Sequence, residues 1–431
     1  MKKVLLALAI IVAMKGQAQK TMTPELLWQL GRVSGMGISK DKQFLVYKVS
    51  TPDVAENKSH SKYYKISLSG GTPTEIQEAD TKELLANDRI SPDGKYILSN
   101  EEVHLKDILG KDKYKDLPNT TASVFTSLNY RHWDTYFEGN FNHVFYAPVG
   151  KETEKKDIMK DEPYFSPQQP FGGDEDFIWT PDSKKIVYVT KKEYGTAYAI
   201  STNTDLYEYD LASGKTVNLT DYNKGYDMAP AFSSQGKLAW LQMKTAGYEA
   251  DKQDLIVMTN GHPVNLTANN DNIHVEGFKW SADGKSLFFV APVDGTMQIF
   301  EVNDIGLTKM LPRIRQISKG DFDINTIVAQ NGDQLIVAKE SMAHPSDLYS
   351  LDIKSGALKQ LTHENETTYN ELDKITTERR WITTSDNKKM LVWMVFPPKF
   401  DANKKYPTLL YCQGDLNLQR HNSFLIDGIF N

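Results

Sequence analysis

Three residues near the C-terminus, His421, Ser423 and Asp427, supply the letters of a nucleophile, its base and the carboxylate that orients the base. Closeness in sequence argues against that role, because a triad is a spatial arrangement in which a sharp strand-to-helix turn presents the serine. No Gly-x-Ser-x-Gly occurs in the 431 residues, so no nucleophile elbow and no catalytic residue is assigned. The nine histidines show neither His-x-x-x-His nor paired Cys/His spacing, so no metal site and no cofactor is expected. Cys412 is the single cysteine. Beside Leu409, Leu410 and Tyr411 it reads as a small buried hydrophobe, and it has no intrachain partner for a disulfide. The densest polar and aromatic group is Arg131-His132-Trp133-Asp134. Read most plainly, Trp133 anchors a loop while Arg131 and Asp134 pair with each other.

Any such group must be held by the surrounding elements, and these repeat. Phe177-Ile-Trp-Thr-Pro-Asp-Ser-Lys-Lys-Ile-Val-Tyr-Val joins two strands by a turn in which Pro presets one dihedral and Asp bonds its own backbone. The same grammar returns at Arg89-Ile-Ser-Pro-Asp-Gly-Lys and Phe278-Lys-Trp-Ser-Ala-Asp-Gly-Lys, and more loosely at Gly37 and Ala231. A closing phrase recurs as well: Val-Asn-Leu-Thr220, Val-Asn-Leu-Thr267, Arg-Gln-Ile-Ser318 and Lys-Gln-Leu-Thr362. Units of roughly 45 to 50 residues with four short strands each are the signature of β-propeller blades, and a sandwich would not repeat turn and closing phrase together. The fold class is therefore all-β. Six blades are legible across residues 34–366, opening near Ser34, Leu85, Asp174, Asp227, His274 and Asp321, and a seventh is expected, cryptic or completed by terminal strands. The second is enlarged by an insertion that carries Arg131 to Asp134.

The ends follow other rules. Residues 1–18, a basic head and a short apolar run before Ala18, read as a signal peptide too short to span a bilayer, so export to a periplasm or the outside is expected, without a membrane anchor. Residues 19–33 hold a short helix with Thr23 as cap and Pro24 in the first turn, then a linker. After residue 366 the grammar changes. A hairpin turns at Ser385-Asp386-Asn387, and Thr408-Leu-Leu-Tyr-Cys412 reads as a strand buried on both faces of an α/β sheet, so residues 367–414 begin a second, incomplete domain. A net charge of −6 gives no electrostatic reason to expect nucleic acid as a partner.

The order of these parts resembles the prolyl oligopeptidase family of serine peptidases, in its acylaminoacyl-peptidase and dipeptidyl-peptidase-like branch. The resemblance rests on the Ser-Pro-Asp-Gly-Lys blades, the Arg131-His132-Trp133-Asp134 insertion, then Met390-Leu-Val-Trp393, Phe396-Pro-Pro398 and Tyr406-Pro-Thr-Leu-Leu-Tyr411. It implies a propeller that gates peptide access to an α/β-hydrolase domain whose serine, aspartate and histidine lie downstream, with a peptide as substrate. It makes Arg131, His132, Trp133 and Asp134 candidates for contact with a peptide carboxylate or ring, and puts Gln413 beside the oxyanion hole. The match stops at Gly414. Asp415-Leu-Asn-Leu418 is what codons for Gly-Pro-Gln-Ser give after loss of one nucleotide, so residues 415–431 are expected to be a frameshifted tail and the chain to be inactive alone. The alternative is a stand-alone periplasmic propeller that binds proteins or peptides.

Overall fold

A computed structural model describes residues 21–411 apart from 129, 304 and 306–311. The expected signal peptide, Cys412, Gln413 and the 415–431 tail with His421, Ser423 and Asp427 lie outside the described residues.

Five four-stranded antiparallel sheets, each made of consecutive strands, and one three-stranded sheet form six blades. Their first strands are Arg32–Ile38, Phe177–Trp179, Asp227–Phe232, Gly277–Trp280 and Asp323–Asn331 in blades 1, 3, 4, 5 and 6. In blade 2 a single bridge, Ile90 to Ile97, stands for the first strand, ahead of Tyr96–His104, Asn140–Pro148 and Lys156–Asp157. The ring closes at six, since buried side chains of blade 1 (Leu45, Tyr47, Ile66) pack directly on those of blade 6 (Ile336, Leu348, Leu361). The expected seventh blade is therefore not formed by the described residues. Gly31 and Asn365 fasten the closure, the Gly31 amide donating to Oδ1 at 2.9 Å and Nδ2 donating back to the Gly31 carbonyl at 2.8 Å. A β-carbon at Gly31 would meet Val49 at 2.6 Å, which explains the glycine.

Both repeated phrases resolve into hydrogen bonds. In the turns, Ser91 donates to Asp93 at 2.7 Å and accepts the Tyr96 amide at 3.0 Å; Thr180 with Asp182 and Ser281 with Asp283 do the same. The residue after the aspartate takes positive φ, as Gly94, Ser183 and Gly284 do. The aromatic ahead of the turn ties one blade to the one before it: Trp179 Nε1 donates to the Arg89 carbonyl and Trp280 Nε1 to that of Ala231. In the closing phrases the hydroxyl of Thr220, Thr267 or Thr362 donates to Asp205, Asp254 or Asp347, while accepting the amide that follows that aspartate. Asn218 and Asn265 each accept the amide of the threonine two residues on, so both belong to this clasp.

Buried apolar clusters join blades 2 and 3, 3 and 4, 4 and 5, 5 and 6, and 6 and 1. Among the described residues none spans blades 1 and 2; there Lys40 donates to the Leu84 and Glu83 carbonyls of the helix Glu78–Leu84 that connects the two. Outside the ring, Thr23 caps the helix Pro24–Trp28 as expected. The hairpin of Thr376–Thr383 with Lys389–Phe396 docks on the blade 5 turn at Asp294 and Gly295, through Arg379 Nη1 to the Asp294 carbonyl and Trp393 Nε1 to that of Gly295. The buried strand expected at residues 408–411 is not seen: Leu409 and Leu410 are 96% and 84% exposed. An apolar run becomes a two-faced strand only between other strands, and none of the described residues pairs with it.

Candidate functional site

In a propeller every connection from second to third strand emerges on the same face. The docked hairpin sits on that face through the blade 5 turn, and so does a pocket of about 510 Å³ between blades 2 and 3.

The blade 2 connection, residues 105–139, supplies one wall. It holds the short helix Gly110–Lys113 and a small hairpin, Arg131–His132 paired with Thr135–Tyr136. The blade 3 connection supplies the other through Glu193, Tyr194, Gly195 and Tyr198. Tyr198 lies on the helix Thr196–Ile200, whose carbonyls at Tyr198 and Ser201 accept from Lys191 Nζ at 3.1 and 2.8 Å. Burial pushes that ammonium down to about 8, and its 3.9 Å approach to the Tyr198 ring compensates part of the desolvation. The floor is aromatic: Phe141 packs on Phe165 at 4.7 Å and on Phe137 at 5.1 Å, and Phe165 on Tyr198 at 5.9 Å. Three carboxylates, Glu102, Glu138 and Glu193, line the cavity, and Asn140 Nδ2 steadies Glu102 at 3.0 Å. An apolar floor with convergent carboxylates suits a ligand that carries a ring or aliphatic side chain next to a cation.

The third wall is the loop of residues 166–176, which brings Gln169 and Pro170 to the cavity. The buried Asp176 carboxylate fixes it by accepting the Gln168 amide at 2.9 Å, and burial pushes that carboxyl up to about 7. Gly172 passes so close that a β-carbon there would lie 2.0 Å from Asp176 Oδ2.

Of the residues singled out in sequence, Arg131, His132 and Trp133 line the pocket and Asp134 sits beside them at the hairpin tip. The plain structural reading of this group does not hold. Trp133 is 70% exposed and touches His132 and Phe171 rather than a blade core, and Arg131 forms no ion pair with Asp134. Trp133 also takes φ of 47°, a conformation that is costly for a bulky residue. Sequence reasoning missed Glu102, Phe141, Phe165, Glu193, Tyr194 and Tyr198. One signal was available: the blade 3 connection from Thr190 to Asp205 is long where blade 5 turns in two residues, Asp294 and Gly295.

Elsewhere among the described residues Asp53, Glu56 and His60 come together on the blade 1 hairpin, where exposed ion pairs account for them. No helix of the described residues is long and apolar enough to cross a membrane.

No protein-family model matches the chain. It is 36% identical over 440 aligned positions to dipeptidyl-peptidase 5 of Porphyromonas gingivalis, covering 91% of this chain and 63% of that protein. To dipeptidyl-peptidase 5 of Porphyromonas endodontalis it is 34% identical, covering 91% and 62%. The chain thus spans less than two thirds of the length of these relatives. Among solved structures, Pyrococcus horikoshii acylaminoacyl peptidase superposes with TM-score 0.65 at 14% identity, over 90% of this chain and 61% of that one. Trypanosoma brucei oligopeptidase B superposes with TM-score 0.52 at 14% identity, over 94% and 59%. At these identities the superpositions speak to the fold alone.

Proposed function

We propose, from its likeness to the dipeptidyl-peptidase 5 relatives, that this chain carries the propeller portion of a prolyl oligopeptidase-family peptidase and that the pocket between blades 2 and 3 holds the amino-terminal end of a short peptide. The observation that carries this is the shared face: the aromatic, carboxylate-lined cavity opens on the side where the 376–396 hairpin leaves the ring. A peptide held there points toward whatever that hairpin leads into. Glu102, Glu138 and Glu193 attract the terminal ammonium, the Phe141 and Phe165 floor takes an apolar side chain, and Arg131 and His132 at the rim meet backbone carbonyls or a carboxylate farther along. Asp134 beside them is a further contact for the peptide.

In this reading the intact protein is an exported peptidase that releases dipeptides, as its relatives' names suggest, with hydrolysis by a serine, histidine and aspartate in a hydrolase domain that residues 367–414 begin. Residue Gln413 would adjoin its oxyanion hole. The 431 residues hold no nucleophile elbow, so the chain binds peptides without cutting them. The docked hairpin weighs against a stand-alone binding propeller, which has no use for it.

The test is fluorescence anisotropy with Phe-Ala-Gly-Lys carrying fluorescein on the lysine side chain. Saturable binding is expected, weakened roughly tenfold by Tyr198→Ala or by acetylating the peptide's amine, in line with losing one aromatic or charge-assisted contact. Binding indifferent to both changes would place the peptide elsewhere.

A further inference from the structure

The two sides of the pocket mouth are held in different ways. On one side the 166–176 loop is fastened by hydrogen bonds: Gln168 to Asp176, the Gly172 amide to the Gln168 carbonyl at 2.8 Å, and Tyr198 OH to the Gln169 carbonyl at 2.7 Å. On the other side the hairpin of residues 130–137 bonds, among the described residues, only to itself, by its Arg131–Tyr136 and His132–Thr135 pairing and the Phe137 amide to the Tyr130 carbonyl. Its contacts to the rest of the chain are rings. Tyr130 and Tyr136 lie against Phe125 at 5.4 and 6.4 Å, Phe137 at the base stays in the floor against Phe141 and Phe165 at 5.1 and 6.2 Å, and across the mouth Trp133 and His132 meet Phe171 at 5.9 and 6.4 Å. All six residues from Arg131 to Tyr136 are exposed.

We propose that the 130–137 hairpin is a lid over this pocket, hinged at its base on Phe137 and the Phe125 stack and latched in its closed position by the Trp133–Phe171 ring contact. This deepens the peptide-holding reading and rests on it for the identity of what is enclosed. Among the described residues this hairpin has no hydrogen bond to its surroundings, and a two-strand hairpin is marginal by itself, so its own amides open as it swings away from its ring contacts. The 166–176 loop, tied to the buried Asp176 and to Tyr198, stays put and serves as the fixed jaw. The left-handed backbone of Trp133 aims its ring across the mouth, where an exposed indole gains little unless it has a partner to close on.

Hydrogen exchange on the whole chain tests the lid without any ligand. Trp133→Ala and Phe171→Ala should each raise exchange across residues 130–137 by roughly two- to tenfold, the range expected for losing one aromatic pair, while the 166–176 amides keep their protection. Unchanged exchange in the hairpin, or loosening of both segments together, would overturn the proposal. Stopped-flow binding of the fluorescein-labelled Phe-Ala-Gly-Lys adds a second readout. A lid makes association and dissociation both faster in Trp133→Ala, whereas a tryptophan that only contacts the peptide changes dissociation alone, which also counts against the lid. If the exchange pattern holds and no peptide binds, the lid stands and the peptide-holding reading falls.

Discussion

A hydroxyl and a carboxylate two residues apart, or thirteen to fifteen residues apart across one blade, recur as the smallest working unit of this chain. Thr362 is buried, donates to Asp347 at 2.6 Å and accepts the Leu348 amide at 2.8 Å. Thr362→Val keeps the shape and strands both partners, so urea unfolding should show a loss of about 1–3 kcal/mol, with Thr362→Ser recovering most of it. The buried carboxyls also leave a mark on pH dependence. Burial pushes Asp176 and Asp227 up to about 7 and Asp347 to about 6, above the roughly 4 of an unfolded aspartate. The folded chain therefore keeps protons that the unfolded chain releases. Their contribution to stability is fullest below pH 4 and is lost as pH rises through 6 and 7. Asp176→Asn should flatten the fall in stability between pH 4 and 7 by up to about 1.4 kcal/mol per pH unit, as seen in melting curves taken across that range; an unchanged slope would mean Asp176 is ionised throughout. At this scale the turn and closing residues were legible because Ser91, Asp93, Thr220 and Asn218 bond to neighbours in the same blade. Glu102, Phe165 and Tyr198 meet only after folding, from a blade 2 strand, the stretch that leads into blade 3 and the blade 3 connection, and leave no local pattern.

Among elements, the hairpin of Thr376–Thr383 and Lys389–Phe396 was readable from its two apolar runs across the Ser385-Asp386-Asn387 turn, where Asn387 takes a positive φ of 63°. What sequence did not reveal is where it docks. Gly295 is the contact point: it has φ of +72°, and a β-carbon on it would lie 2.3 Å from Leu391 and 2.9 Å from Trp393. Gly295→Ala should undock the hairpin, so limited proteolysis would cut between residues 376 and 396 faster while the propeller melts at nearly the same temperature. Equal cleavage in both proteins would mean the docking contact is weak. The failed strand at residues 408–411 is the converse case. Its composition is right for a buried strand, but composition cannot supply neighbours, and the exposed faces of Trp381, Met390, Leu409 and Leu410 are left open. An exposed apolar surface of this kind makes association of the 431-residue chain concentration-dependent, and light scattering should show it.

The whole molecule is a six-bladed ring whose blade order was legible because each unit repeats its own turn and clasp, whereas the number of blades needed to close it depends on the packing of blade 1 against blade 6. The ring is not equally strong all round. Among the described residues no buried apolar cluster lies between blades 1 and 2, and the Lys40 bonds reach the connecting helix Glu78–Leu84, so hydrogen exchange should open that seam before any other. Earlier opening between blades 4 and 5, where Trp280, Phe289 and Leu255 are buried together, would contradict this view of the core. The most direct test of the central claim uses a peptide whose first residue is p-benzoylphenylalanine, cross-linked by light to the chain and mapped by mass spectrometry. We expect adducts within residues 131–142, 163–170 and 193–198, suppressed by excess Phe-Ala-Gly-Lys. Adducts concentrated on other blades, or spread evenly over the surface, would show that the pocket between blades 2 and 3 does not hold the peptide.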